Sequence, residues 1–161
     1  MSGALRVVAM TPAYAGDLVG WRYPPPYARY DLAGADPAYF VDPANGFVAL
    51  VDDDGLVGYR SFGPDGRVPG GAYDDGALDT GGGLRPSLTG RGLGRSALAV
   101  GLAYGRERFA PRAFRVTVAA DNARALRVVT ASGFVPVGRF AATTDGREYG
   151  ILVRPEPGPT S

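Results

Sequence analysis

The stretch LRPSLTGRGLGRSAL, residues 84–98, sets Gly90, Gly92 and Gly94 at alternate positions, just where a helical pattern begins. Leu93, Ala97, Leu98, Leu102 and Phe109 recur at near-helical spacing, which predicts a helix over 91–109. Ahead of the loop, GALDTGGGLR (76–85) reads as a strand interrupted by glycines, a pattern that marks a bulge or a ligand close to the backbone. Bare backbone at the mouth of a helix offers unpaired N–H groups and the positive end of the helix dipole to an anion. Glycine also permits the positive φ angles that a curved cradle of amides requires. A tight strand-to-helix turn with no ligand satisfies the same spacing. Two familiar phosphate loops do not. A nucleotide-hydrolysing loop needs G-x-x-x-x-G-K-S/T, whereas Arg95-Ser96 follows Gly94 and Thr89 stands five residues before it. A dinucleotide fingerprint needs G-x-G-x-x-G, and the third glycine here comes one residue early.

Working outward, residues 5–10 (LRVVAM) read as a strand, followed by a helix with Thr11 as N-cap and Pro12 at its first position. WRYPPPYARYDL (21–32) crowds four aromatics around three prolines, which forbid a continuing helix and predict a turn with a short helix or loop. Segments 46–52 and 56–63 flank Asp-Asp-Gly as a hairpin. FRVTV (114–118) alternates as a strand, Asp121 is positioned to cap a helix over 122–132, and Gly133 closes it. Strands 134–142 and 147–154 bracket the turn Thr144-Asp145-Gly146. The order β-α-α-β-β-β-α-β-α-β-β describes one domain over 1–154, with the tail from 155 to 161 expected to be disordered.

Composition narrows the chemistry. The 161 residues, 45% apolar and 20% charged with net charge +1, are enough for one globular core. No basic block points to nucleic acid or an anionic membrane, and every one of the 17 basic residues is arginine. Cysteine and histidine are absent, which removes disulfides, thiolate nucleophiles, imidazole acid/base chemistry and Cys/His zinc sites. The acidic run Asp52-Asp53-Asp54 precedes Gly55 in the hairpin turn and reads as solvated, so no metal is expected. With neither a signal-peptide pattern nor an apolar run of spanning length, the expected location is the cytoplasm.

The glycine stretch, followed some twenty residues on by FRVTVAADNARALRVVTASGF (114–134), resembles the GNAT superfamily of acyl-CoA-dependent N-acyltransferases over residues 76–140. The family's loop opens with glutamine or arginine, then x-x-G-x-G/A; here Thr89 takes the leading position. The resemblance implies an α/β fold, a single mixed, mostly antiparallel sheet of six to seven strands flanked by about four helices. It implies acetyl-CoA as cosubstrate, a small-molecule amine or peptide N-terminus as acceptor, and a homodimer as an expected assembly. Carried over by position, the amides of Gly90, Arg91, Gly92, Leu93, Gly94 and Arg95 would hold the CoA diphosphate, with the Thr89 hydroxyl beside them. Leu84, Arg85 and Pro86 would flank the pantetheine arm, and a backbone group near Gly83–Arg85 would polarise the thioester. Asn122 matches the asparagine that contacts the pantetheine arm, and capping the helix is its equally natural role.

Two expected groups are missing. Many members carry a tyrosine seven residues after that asparagine to protonate the departing thiolate, and Val129 stands there. Three readings remain: a proton from water, Thr130 or Ser132; a proton from one of the N-terminal tyrosines; or acyl-CoA binding without turnover. Valine also leaves more room than tyrosine, which admits acyl groups longer than acetyl. The glutamate usual on the strand before the loop is absent, leaving Asp79 as the candidate base or ammonium anchor. The acceptor pocket maps onto the aromatic segment, with Tyr27 and Tyr30 as substrate contacts and Trp21 as core.

Overall fold

The computed structural model describes residues 4–157. Seven strands and four α-helices follow one another as β1 (Arg6–Ala9), α1 (Pro12–Val19), α2 (Pro37–Val41), β2 (Phe47–Asp52), β3 (Gly55–Phe62), β4 (Leu78–Leu84), α3 (Gly94–Phe109), β5 (Ala113–Ala119), α4 (Ala123–Ala131), β6 (Val135–Ala141) and β7 (Glu148–Pro155). They form one sheet in the order β1-β2-β3-β4-β5-β7-β6. Every neighbouring pair is antiparallel except β4 and β5. The order and the mixed sheet agree with the expectation from sequence.

Local chemistry explains most of the boundaries. The Thr11 side chain accepts from the Tyr14 amide at 3.1 Å, and Pro12 opens α1 where no N–H is needed. In the β2–β3 turn the Asp54 amide donates to Asp52, so the acidic run there is a self-bonded turn. One residue of the α4 cap differs from expectation. Asn122, not Asp121, accepts from the Ala125 amide at 3.1 Å, while Asp121 points out to pair with Arg29. The expected tail also begins later than 155: Pro155 closes β7, and Glu156 is buried with Arg106 Nε 2.9 Å from its carboxylate. Residues 158–161 of that tail lie outside the described residues.

Two apolar layers sandwich the sheet. Leu18, Trp21, Phe40, Ala49, Val51 and Leu56 join α1 and α2 to β2 and β3. Leu98, Leu102, Phe114, Val116, Val129 and Phe134 join α3 and α4 to the other half. Close helix approach here depends on Gly105, where a Cβ would come within 2.6 Å of the Phe62 ring. The decisive irregularity lies between β4 and β5. They pair only at Leu78↔Phe114 and Asp79↔Arg115, after which Thr80–Leu84 part from β5. Their far ends splay into a V.

Candidate functional site

The open arm of the V is lined by backbone. Gly81, Gly82 and Gly83 follow one another, and Gly82 is exposed although it sits in the centre of the sheet. On its other edge β4 stays paired with β3 through Tyr59↔Gly83 and Arg60↔Gly82, and the Arg85 amide donates to Val57 O at 2.8 Å. An antiparallel ladder alternates its bonded residues. With the Arg85 amide committed to β3, the amides of Gly82 and Leu84 turn toward the cleft. This corrects the expectation for Arg85, whose amide is spent in the sheet. Its guanidinium is also occupied, by Asp17, by Leu56 O and over the Trp21 ring.

At the mouth of the V the chain turns through Pro86-Ser87-Leu88 into the glycine loop. The Thr89 hydroxyl donates to Pro86 O at 2.8 Å and so fastens this turn. Gly90 and Gly92 take φ of +72° and +81°, the left-handed region that the alternating glycines were expected to serve. Gly94 opens α3 against Val128, where a Cβ would come within 2.9 Å. The helices differ sharply at their N-termini. Thr11, Asp36 and Asn122 cap α1, α2 and α4, while α3 follows Leu93 with no side-chain cap. Its first backbone bond runs from the Ala97 amide to Leu93 O, and the N–H groups of Gly90 to Ser96 donate to no acceptor among the described residues. Seven free amides at a helix N-terminus make an anion cradle.

Three expectations from sequence meet corrections here, and a fourth is extended. Asp79 is 2% exposed and accepts from Arg115 at 2.7 Å through both oxygens, and from Arg67 Nε at 2.8 Å. A carboxylate so saturated at the closed apex of the V is a rivet between β4 and β5, unavailable as base or ammonium anchor. Ser132 donates its hydroxyl to Val128 O at 2.8 Å, which closes the end of α4. Thr130 is exposed, one helical step away from Val129, which is buried in the core. The Ser132 hydroxyl is thus spent on the helix end, and Thr130 stands on the solvent side of α4. Asn122 combines its two expected roles differently: its Oδ1 caps α4 and its Nδ2 donates to the Tyr30 hydroxyl at 3.1 Å.

Tyr27 and Tyr30 lie on a strap that crosses from α1 to the start of α4. The rings stack with centroids 6.4 Å apart, Arg124 lies over Tyr27, and Arg29 bridges Tyr30 to Asp121. The strap is tied to the opposite arm by the Tyr23 hydroxyl, which donates to Leu84 O at 2.6 Å. Beside it stands Tyr59, missed at the sequence level because LVGYRSFG reads as an ordinary strand. A Cβ on Gly83 would find the Tyr59 hydroxyl at 3.2 Å and that of Tyr23 at 3.3 Å, so both converge on bare backbone. Burial raises the pKa of both phenols; a neighbouring phenol and Asp31 add to this for Tyr23, and Arg60 opposes it for Tyr59. Both therefore hold their protons at neutral pH. Tyr23 has already given its hydrogen to Leu84, and Tyr59 makes no hydrogen bond among the described residues.

An uncapped helix behind a glycine loop, beside a splayed strand, belongs to a recognisable architecture. The model of the acetyltransferase (GNAT) family matches residues 9–134. No curated protein is significantly similar in sequence. Among solved structures, a GNAT-family acetyltransferase from Bacillus anthracis superposes with a TM-score of 0.74 at 14% identity, covering 96% of both chains. AAC(6')-Ib in complex with ribostamycin and coenzyme A gives 0.73 at 17%, covering 95% of this chain and 94% of the other. A chimera of the Vibrio cholerae spermidine N-acetyltransferase SpeG with hSSAT gives 0.68 at 16%, covering 95% and 96%. These likenesses establish the shared fold, and the family match spans most of the chain. The chain belongs to the acetyltransferase (GNAT) family, and is an acyl-CoA-dependent N-acyltransferase.

Proposed function

We propose that the protein transfers an acetyl group from acetyl-CoA to the primary amine of a small molecule or a peptide N-terminus, by direct attack on the bound thioester. The observation that carries this reading is the set of unpaired amides from Gly90 to Ser96 at the one α-helix among the described residues without a side-chain cap. The amides of Gly90–Arg95 receive the CoA diphosphate. The pantetheine arm runs along the open edge of β4, beside Gly82, Gly83 and Leu84, and Asn122 flanks it from α4. A cleft-facing amide, Gly82 or Leu84, polarises the thioester carbonyl, a contribution of about 3 kcal/mol where donors are preorganised.

The amine attacks the carbonyl carbon, the C–S bond breaks, and the departing sulfur takes a proton from Tyr59. Asp79 and Asp74, the described carboxylates at the apex, are both paired with Arg115, so the acceptor loses its proton to solvent and reacts as the neutral amine. Tyr27 and Tyr30 wall the strap above the cleft; their ring faces are taken by each other, by Arg124 and by Arg29, so they meet an acceptor at the ring edges and the Tyr27 hydroxyl. Aminoglycosides and polyamines, the acceptor classes in the names of structural neighbours, are natural first candidates.

A second reading, an acyl-CoA-binding module without turnover, draws support from Val129 at the position of the usual acid. Calorimetry with CoA followed by thiol release against a panel of amines separates the two. Wild type binds CoA, and Gly92→Ala binds it about tenfold more weakly, because a Cβ at φ +81° costs about 1–2 kcal/mol. Nothing lies within 4 Å of that Cβ, so the change acts through the backbone alone. Binding without thiol release from any amine leaves the module. Absence of CoA binding removes both readings.

A further inference from the structure

Tyr59 and Arg60 are consecutive on β3 and so project to opposite faces of the sheet. Arg60 runs across Gly82 beneath α3, in space that two glycines keep clear. A Cβ on Gly82 would lie 2.8 Å from its Cδ and 2.9 Å from its Nη1, and one on Gly101 would lie 2.8 Å from its Cγ. The guanidinium donates once, from Nη2 to the neutral Thr80 hydroxyl at 3.0 Å. Its Nε is sealed from solvent and has no partner, and it forms no ion pair among the described residues. Burial pushes this arginine down to about 10, which leaves it charged at neutral pH.

A cation in this position wants an anion. The CoA diphosphate cannot be that anion. Gly101 lies seven residues into α3 from Gly94, about 10 Å along the axis from the loop that holds the diphosphate. The residues that Arg60 does touch, Thr80 and Gly82, stand on β4 between that mouth and the apex at Asp79↔Arg115. A thioester bound along β4 points its acyl chain into this interval. Arg60 is half-buried, and its Nη1 lies against Gly82, an exposed residue on the arm of β4 that has parted from β5.

We propose that Arg60 is a donor-specificity residue, and that the protein accepts acyl-CoA donors whose short acyl chain ends in a carboxylate. This rests on the acyl-CoA reading above and extends it from acetyl to monothioesters of dicarboxylic acids. The chemistry is unchanged: the amine nitrogen bonds to the thioester carbon, the C–S electron pair leaves on sulfur, the amine loses a proton and the thiolate gains one. The distal carboxylate takes no part in bond making and remains in the amide product. Bound, it pairs with Arg60 in the bidentate geometry that a guanidinium favours.

Donor binding tests this without knowledge of the acceptor. Calorimetry compares free CoA, its S-butyl thioether and its S-(3-carboxypropyl) thioether on wild type, Arg60→Met and Arg60→Lys. Wild type is expected to bind the carboxylated thioether at least tenfold more tightly than the butyl one. Arg60→Met is expected to abolish or reverse that preference while binding free CoA as wild type does, and Arg60→Lys to retain part of it. Equal binding of the two thioethers by wild type overturns the proposal whether or not the variants fold. So does a preference that survives Arg60→Met, which would place the carboxylate elsewhere. A wild type that fails to bind free CoA defeats the acyl-CoA reading itself, a result distinct from loss of the carboxylate preference alone.

Discussion

The two ends of β4 treat charge in opposite ways. At the closed end Arg115 meets Asp79 through two nitrogens and Asp74 through a third, and Arg67 completes the cluster. At the open end Arg60 crosses the same strand on the other face and meets one neutral hydroxyl. Both arginines rise from strands that neighbour β4, so position in the sheet does not separate them. Partnership does. A buried ion pair with every lone pair filled holds two strands together and has nothing left to offer a ligand. Bare glycines, free phenol and unmatched guanidinium cost stability where they stand, and persist where a substrate completes them.

The sharpest break of this contrast is Asp79→Asn. It leaves Arg115 and Arg67 facing a neutral amide, and removing one partner of a buried pair typically costs about 3–5 kcal/mol. Denaturant unfolding is expected to show a loss of that order. Turnover per folded molecule, and its dependence on pH, should stay as in wild type. An Asp79→Asn variant that keeps its stability but loses the pH dependence of its rate would make Asp79 the base and erase the distinction between the two ends.

Tyr59→Phe probes the open end, with a smaller effect of a different kind. Loss of a general acid slows turnover by about 10²-fold. Because the Tyr59 hydroxyl makes no hydrogen bond among the described residues, stability should change by less than about 1 kcal/mol. The donor KM should hardly move. A variant that unfolds more easily yet turns over normally would reduce Tyr59 to packing against Trp21 and Phe47, whose ring centroids lie 6.2 and 6.1 Å away.

What the sequence revealed, and what it hid, divides along the same line. Apolar periodicity, turn residues and caps are local signals, and they placed every strand and three of the four helices; α2 (Pro37–Val41) lies beyond the 21–32 segment where a short helix or loop was expected, and that segment holds only the turn Ala28–Tyr30. The glycine loop was equally readable, since the positive φ of Gly90 and Gly92 follows from residue type. Asp79 was misread because its partners are distant in sequence: Arg115 lies 36 positions away and meets it only through the β4–β5 register. Tyr59 and Arg60 were passed over for a related reason. In LVGYRSFG they look like alternating strand residues, and their meaning appears only when Tyr59↔Gly83 and Arg60↔Gly82 are known. The cap of α4 was displaced by one residue because Asp121 and Asn122 both suit that role, and Arg29 claims the first.

The smallest expected effect lies just beyond the open end, where Arg85 ties the end of β4 to Asp17 of α1. The hydrogen bond from Arg85 is the main cause that lowers the Asp17 pKa; burial opposes it, and the Trp21 indole N–H adds to it. A folded-state pKa below the unfolded one contributes stability that is present above about pH 3.9 and lost as pH falls through the folded value. The Asp17 side chain is 38% exposed, so solvent screens the pair and its worth should fall within about 0.2–1 kcal/mol. Asp17→Asn is therefore expected to be slightly less stable than wild type at pH 7, and the gap should close as pH falls below about 4 and through the lowered folded-state value. A gap that stays constant across that range would assign the loss to packing around Trp21. The electrostatic tie would then end at the apex of the V, and the open arm of β4 would be held to α1 by the aromatic layer alone.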